Sequence, residues 1–207
     1  MEICDEKILY IIRHGETEYN RMNIVQGSGM DTNLNETGLE QANKFYTFYH
    51  HLPFDKIYTS TLVRTQQSVQ QFIDSGISHQ KLEQLNEISW GDIEGKPQTD
   101  EQKLLYLSIV KKWNEGELNE KIPNGESPVE MQFRQTIALQ LIMKNTLEKT
   151  VLVCMHGRAM KSFLCLMLNI PLTKMEEFFH SNLGLYLLKF DGEKFELLKR
   201  NDTEHLN

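Results

Sequence analysis

Lys7-Ile8-Leu9-Tyr10-Ile11-Ile12-Arg13-His14-Gly15-Glu16-Thr17 is the stretch on which the reading of this chain turns. Residues 7–12 are short, apolar and partly β-branched, the composition of a strand buried on both faces of a parallel sheet. The residues that follow reverse that character. A cation, an imidazole and a glycine that admits close backbone approach form a group suited to holding and attacking a dianionic phosphate. A second apolar run, Thr150–Met155, ends the same way in His156-Gly157, 142 positions after His14. A third, Lys56–Thr59, is followed by Ser60 and Arg64. In open α/β sheets ligands bind outside the carboxyl ends of the strands. Packing alone gives no reason for phosphate-competent groups at three strand ends, so the three are expected to converge on one site.

Working outward, helical patterns separate these runs. Thr37-Gly38-Leu39-Glu40 has capping-box spacing, and Leu39, Ala42, Phe45, Tyr46 and Tyr49 then recur at helical intervals. A second helix is expected from Thr61 or Leu62 to Ile73. Ser127-Pro128-Val129-Glu130 opens a third with an N-cap, a first-turn proline and a reciprocal acid. A fourth covers residues 159–168. Two closing strands, Leu185–Phe190 and residues 195–199, meet at an Asp191-Gly192 turn. The alternation predicts an α/β fold, a three-layer α/β/α sandwich around a mixed, mainly parallel central sheet. One domain over residues 1–207 is expected. Residues 88–125, which hold both tryptophans and several glycines, prolines and charges, form a candidate inserted lid. Leu185–Phe190 is a candidate edge strand for pairing with another copy.

The chain has 22 basic and 29 acidic residues among 207, a formal net charge of −7. That balance disfavours nucleic acid and anionic membrane as partners and requires a locally basic pocket for an anionic substrate. Cys4, Cys154 and Cys165 are an odd number without metal-ligand spacing, which fits reduced thiols. The N-terminal residues lack a basic segment followed by an apolar one, and no apolar run approaches the ~20 residues of a membrane span. The expected location is cytoplasmic.

From Arg13 to Gly38 the chain resembles the histidine phosphatase superfamily, also called the phosphoglycerate mutase-like family. The resemblance rests on Arg13-His14-Gly15-Glu16-Thr17 with Asn20, Gln26-Gly27, Asp31 and Leu34, and on Thr59-Ser60 with Arg64. It continues through Leu85-Asn86-Glu87, Trp90-Gly91, Glu94-Gly95, Asn124-Gly125-Glu126-Ser127, Met155-His156-Gly157 and Asn182 to Asn201, His205 and Leu206. It implies a phosphomonoester hydrolase acting on a small-molecule phosphoester. His14 would be the nucleophile that forms a phosphohistidine, its tautomer set by the Gly15 carbonyl. Arg13, Arg64 and His156 would surround the phosphoryl oxygens, with Asn20 as a neutral donor and Gln26, Gly27 and Gly157 as binding residues. Glu87 would protonate the leaving alcohol and then activate water. Neither a metal nor another cofactor is expected.

The same site can pass phosphate to water or to a second hydroxyl. Gln26 favours water, because the family's glycolytic mutases have a threonine there, and so do the only 69 positions between Glu87 and His156. A mutase and a noncatalytic phospho-ligand module are the alternatives. Lys161 stands where many members have arginine, and Ile93 where many have an aromatic residue. Arg158 either adds a phosphate or substrate contact or faces solvent, with solvent the favoured reading, and His50, His51, His79 and His180 are read as surface or packing residues.

Overall fold

A computed structural model of the chain describes residues 6–97 and 99–207. Cys4, one of the chain's three thiols, lies outside them. Among the described residues a six-stranded sheet runs in the order β3-β2-β4-β1-β5-β6, with β1 Lys7–Arg13, β2 Lys56–Thr59, β3 His79–Lys81, β4 Thr150–Met155, β5 Leu185–Phe190 and β6 Phe195–Asp202. The first four strands are mutually parallel, and β5 and β6 are antiparallel to their neighbours. The helices are α1 Glu18–Arg21, α2 Glu36–Tyr49, α3 Val63–Ser68, α4 Gln70–Asp74, α5 Asp100–Asn114, α6 Pro128–Lys144 and α7 Gly157–Met167.

β4 explains the layering. Its alternate residues point to opposite faces, and both faces are buried. Val151, Val153 and Met155 join one cluster with Met131, Ala138 and Ile142 of α6 and Met160, Phe163 and Leu164 of α7. Leu152 and Cys154 join the other, with Phe45 and Tyr49 of α2 and Phe72 of α4. The three-layer sandwich and its mixed sheet are therefore as expected. β6 instead alternates between half-buried and exposed residues, as an outer strand with one wet face does.

The helix starting at Ser127 has the expected reciprocal cap, with Ser127 Oγ accepting from Glu130 N at 3.3 Å and Glu130 Oε2 from Ser127 N at 2.8 Å. Four details differ. α2 is capped by Asn35, whose Oδ1 accepts from Gly38 N at 2.8 Å, and not by Thr37. Gly38 lies so close to Glu16 that a Cβ there would sit 2.1 Å from the Glu16 carbonyl oxygen. The expected helix from 61 to 73 is broken at Val69 (φ −124°, ψ 14°) into α3 and α4. Residues 88–125 contain a full helix, α5, opened by a Thr99/Gln102 capping box. Finally, β5 is interior and not an edge: it pairs with β1 on one side, and the hairpin at Asp191 folds β6 over the other. No helix among the described residues is long and apolar enough to cross a membrane.

Candidate active site

Strand register brings the polar groups together. Arg13 lies opposite Met155, so the next residues, His14 and His156, leave adjacent parallel strands side by side, with ring centroids 5.2 Å apart. Thr59 lies opposite Cys154, which puts Ser60 next to His156, and its Oγ is 2.8 Å from His156 Nε2. His156 Nδ1 is buried and has no protein partner.

His14 is 3% exposed. Its Nδ1 lies 2.7 Å from the Gly15 carbonyl oxygen, an acceptor, so Nδ1 carries the proton and Nε2 is left basic. Gly15 N donates to Ser68 Oγ at 2.9 Å, and a Cβ on Gly15 would approach the Gly38 carbonyl oxygen to 2.7 Å. Only glycine lets this turn lie flat against the start of α2. Burial, with Arg64 and Arg13 nearby, holds the His14 imidazole well below its ordinary pKa, and burial and Arg64 do the same to His156. Both rings are therefore neutral at ordinary pH.

Arg64 is fully buried. Its Nη1 donates to the Met30 carbonyl at 2.6 Å and its Nη2 to the Gly27 carbonyl at 3.3 Å, and burial lowers its pKa to about 10. Gly27 thus holds Arg64 from behind. A Cβ there would meet Glu94 Oε1 at 2.0 Å. Arg13, also lowered to about 10 by burial, lines the cavity and has a buried Nε without a partner. Asn20 uses Oδ1 to accept from Thr17 N and Asn182 Nδ2, both at 3.2 Å, and its Nδ2 makes no protein hydrogen bond. Gln26 is bound to the Thr32 hydroxyl.

Glu87 arrives from the far side of the cavity. Its Oε1 accepts from Ile88 N at 2.9 Å and Ala159 N at 2.7 Å, and its Oε2 from Arg158 N at 3.0 Å. It thereby supplies the cap that α7 lacks from its own N-cap residue, His156. Arg134 on α6 holds the Glu87 loop by donating to the carbonyls of Gln84, Asn86 and Glu87.

A cavity of about 170 Å³ is lined by Arg13, His14, Asn20, Gln26, Glu87 and Gly157 and closed by Val25, Trp90, Tyr106, Arg158 and His180, while Arg64, His156 and Gly27 are not among the residues that line it. A larger cavity of about 530 Å³ opens beyond Glu87, but its bases are paired with its own acids, Arg134 with Glu126 and Lys121 with Glu130. It offers no surplus positive charge to a phosphate. Among the described residues no three His, Cys, Asp or Glu side chains gather as a metal site.

The favoured reading of Arg158 fails here, and His180 has a more particular place than packing alone. Arg158 does not face solvent: it is 8% exposed, with its guanidinium carbon 5.6 Å and 5.5 Å from the rings of Trp90 and Trp113. Its Nη2 donates to Tyr106 Oη at 2.9 Å, and Nη1 pairs with Glu176. His180, read as a surface or packing residue, borders the cavity, and burial and the nearby Arg13 lower its pKa to about 3. Its ring occupies the space beside Gly157, where a Cβ would come within 2.8 Å of it. No motif marks His180. The only sequence signal is Asn182 two residues later, whose Nδ2 donates to the His14 carbonyl at 3.0 Å while Leu183 N donates to that of Arg13.

The sequence pattern of the histidine phosphatase superfamily (branch 1) matches residues 9–203. Phosphoserine phosphatase from Entamoeba histolytica, solved with 3-phosphoglyceric acid, is 28% identical, with a TM-score of 0.83 over 97% of this chain and 100% of that one. YhfR from Bacillus stearothermophilus is 27% identical, with a TM-score of 0.83 over the same shares. A Yersinia pestis protein bearing a phosphoglycerate mutase name is 29% identical over 79% of this chain and 75% of its own length.

Proposed function

Because the chain belongs to the histidine phosphatase superfamily, we propose that it is a phosphomonoesterase that hydrolyses a small phosphoester through a phosphohistidine on His14. The observation that carries this reading is the state of His14: buried, neutral, tautomer set by the Gly15 carbonyl, and bordering a cavity beside Arg13. The Nε2 lone pair attacks phosphorus and the bond from phosphorus to the ester oxygen breaks. Arg13, Arg64, Asn20 and His156 hold the non-bridging oxygens, His156 through Nδ1 when the Ser60 hydroxyl donates to Nε2. Such preorganised donors each contribute ~3–4 kcal/mol to the transition state. Glu87 delivers a proton to the leaving oxygen from Oε2, which receives only one backbone N–H. In the second half Glu87 takes a proton from water, the water oxygen attacks phosphorus, and the bond to His14 breaks to release phosphate.

The outer wall suggests the substrate class. Arg158 and Lys161 share one carboxylate, Glu176, so this wall keeps one surplus positive charge. A leaving group bearing a carboxylate satisfies it, as do the phosphoserine and 3-phosphoglyceric acid bound by the Entamoeba protein. Residues 88–125 act as the lid through Trp90 and Tyr106.

The test is phosphate release from a panel of phosphomonoesters with chelator present, comparing the unsubstituted chain with His14→Ala. Turnover that survives in His14→Ala overturns the mechanism. Exchange of phosphate between two positions of a glycerate, in place of release, would establish the mutase instead.

A further inference from the structure

Ser60 stands between His156 and Thr65 and has a single hydroxyl proton to give to one of them. Its Oγ lies 2.8 Å from His156 Nε2 and 2.9 Å from Thr65 Oγ1, and it accepts from Leu62 N at 3.1 Å. Thr65 Oγ1 in turn lies 2.8 Å from the Leu62 carbonyl oxygen. Ser60, Thr65 and His156 are fully buried. A carbonyl oxygen only accepts, so the contact to Leu62 uses the Thr65 proton. Thr65 Oγ1 then offers Ser60 only lone pairs, and the contact between the hydroxyls uses the Ser60 proton. The contact to His156 is left to a proton on Nε2. This assignment puts one proton in every contact. Turning Ser60 toward Nε2 leaves either Thr65 and Leu62 or Ser60 and Thr65 as two buried oxygens 2.8 or 2.9 Å apart with no proton between them. In the neutral ring Nδ1 is therefore a bare lone pair, and Nδ1 is the nitrogen buried without a protein partner.

We propose that Thr65 is a positioning residue that, through Ser60, keeps the proton of His156 on Nε2, so that His156 meets the substrate as an acceptor and takes the proton of a phosphoester monoanion. The inference rests on the reading that His156 holds a phosphoryl oxygen. An O–H bond of the phosphate breaks, the Nδ1–H bond forms, and an imidazolium comes to face a dianion. Nδ1 then donates to that oxygen while Nε2 stays bonded to Ser60, so the Ser60 hydroxyl need not turn. Donation from Nδ1 of a neutral ring, with Ser60 turned to Nε2, belongs to a chain without the Thr65 hydroxyl. The surroundings fit this order of events. Burial, Arg64 on α3, His14 and Arg13 at the end of β1 and Arg134 on α6 all oppose a charge on His156 while the cavity is empty. On α7 itself Arg158 and Lys161 are paired with Glu176. Glu87, bound to the backbone of Arg158 and Ala159, and His180, beside Gly157, are the other titratable groups at this end of α7. A phosphoryl group brings the negative charge that offsets the surrounding cations at the moment the ring is protonated.

The test is the imidazole ¹⁵N–¹H correlation spectrum of the full chain at neutral pH, with His156 assigned by the signals lost in His156→Gln. The free chain should show His156 protonated at Nε2 alone, and saturating inorganic phosphate should protonate both nitrogens. Thr65→Val should move the proton to Nδ1, and Thr65→Ser, which restores the hydroxyl, should return it to Nε2. Activity gives a second readout. On an aryl phosphate, whose leaving group needs no proton from Glu87, kcat/KM should fall about tenfold per pH unit above the ester's own second pKa, and Thr65→Val should abolish that fall. Protonation of Nδ1 in the free unsubstituted chain, an unmoved proton in a folded Thr65→Val, or a singly protonated His156 under saturating phosphate would each overturn the proposal. The spectra of the unsubstituted chain decide it even where Thr65→Val does not fold. Absence of turnover on every ester fails the phosphomonoesterase reading instead, and the same spectra still decide the place of the proton.

Discussion

The floor and the rim of the cavity are held in place by different means. At the floor, His14 leaves the end of a buried strand beside His156 and Ser60 at the ends of two others, and the pairings Arg13 to Met155 and Thr59 to Cys154 set their positions. None can move without moving the sheet. At the rim, Trp90, Tyr106 and Trp113 come from the segment between Glu87 and α6 and gather around the guanidinium of Arg158. Ring stacking, one hydroxyl and one shared carboxylate hold them. On the proposed mechanism, chemistry that must not drift sits on the sheet, and selectivity, which tolerates adjustment, sits on side chains that touch one another. On this division, floor substitutions change turnover for every ester, and rim substitutions change which esters are turned over.

The largest effect belongs to the proposed nucleophile. His14→Ala should lower kcat by about 10⁴-fold or more for all substrates, with an unchanged circular dichroism spectrum. A loss confined to some esters would break the division. Glu87→Gln should lower kcat by about 10²–10⁴-fold on alkyl phosphates and far less on an aryl phosphate whose leaving group needs no proton. Equal losses on both would assign Glu87 a purely structural part as the cap of α7.

At the rim, Arg158→Met should lower kcat/KM for phosphoserine by about 10–100-fold, mostly through KM, and leave phosphoethanolamine nearly unaffected. Loss on both substrates together with a lowered melting temperature would make Arg158 a fastener for the lid and not a selector.

The smallest effect concerns stability. His14, His156 and His180 are all held below the ordinary imidazole range, so below about pH 6.5 the unfolded chain binds more protons than the folded one. Their stabilising contribution is complete above that pH and is lost as pH falls, by at most about 1.4 kcal/mol per histidine per unit. For His180 the loss continues toward about pH 3. Melting temperatures measured from neutral pH downward should fall, and less steeply in His180→Gln. An identical slope in that variant would show that His180 is not buried in its neutral form.

Much of the floor is legible in the amino-acid sequence alone. Continuous apolar runs ending in Arg13-His14, Ser60 and His156 identify strand ends, and ligands gather at such ends in open α/β sheets. The rim is not legible in this way. Arg158 follows Gly157 with nothing to distinguish a solvent-facing arginine from one buried between two tryptophans about 45 and 68 positions earlier in the sequence. His180 has no motif because its place depends on the loop that Asn182 and Leu183 tie to β1. α5 is concealed by the mixed composition of residues 88–125, although Thr99 and Gln102 carry its cap.

Local chemistry written along the chain thus determined five of the six strands and the Ser127 cap, because each depends on neighbours a few residues away, whereas the short β3 at His79–Lys81 carried no such signal. Tertiary structure alone decided that Asn35 caps α2, that β5 is interior, that Glu87 caps α7 and that Arg158 turns inward. Each of those outcomes is set by contacts between segments far apart in sequence, where alternatives of similar local energy are separated only by what packs against them.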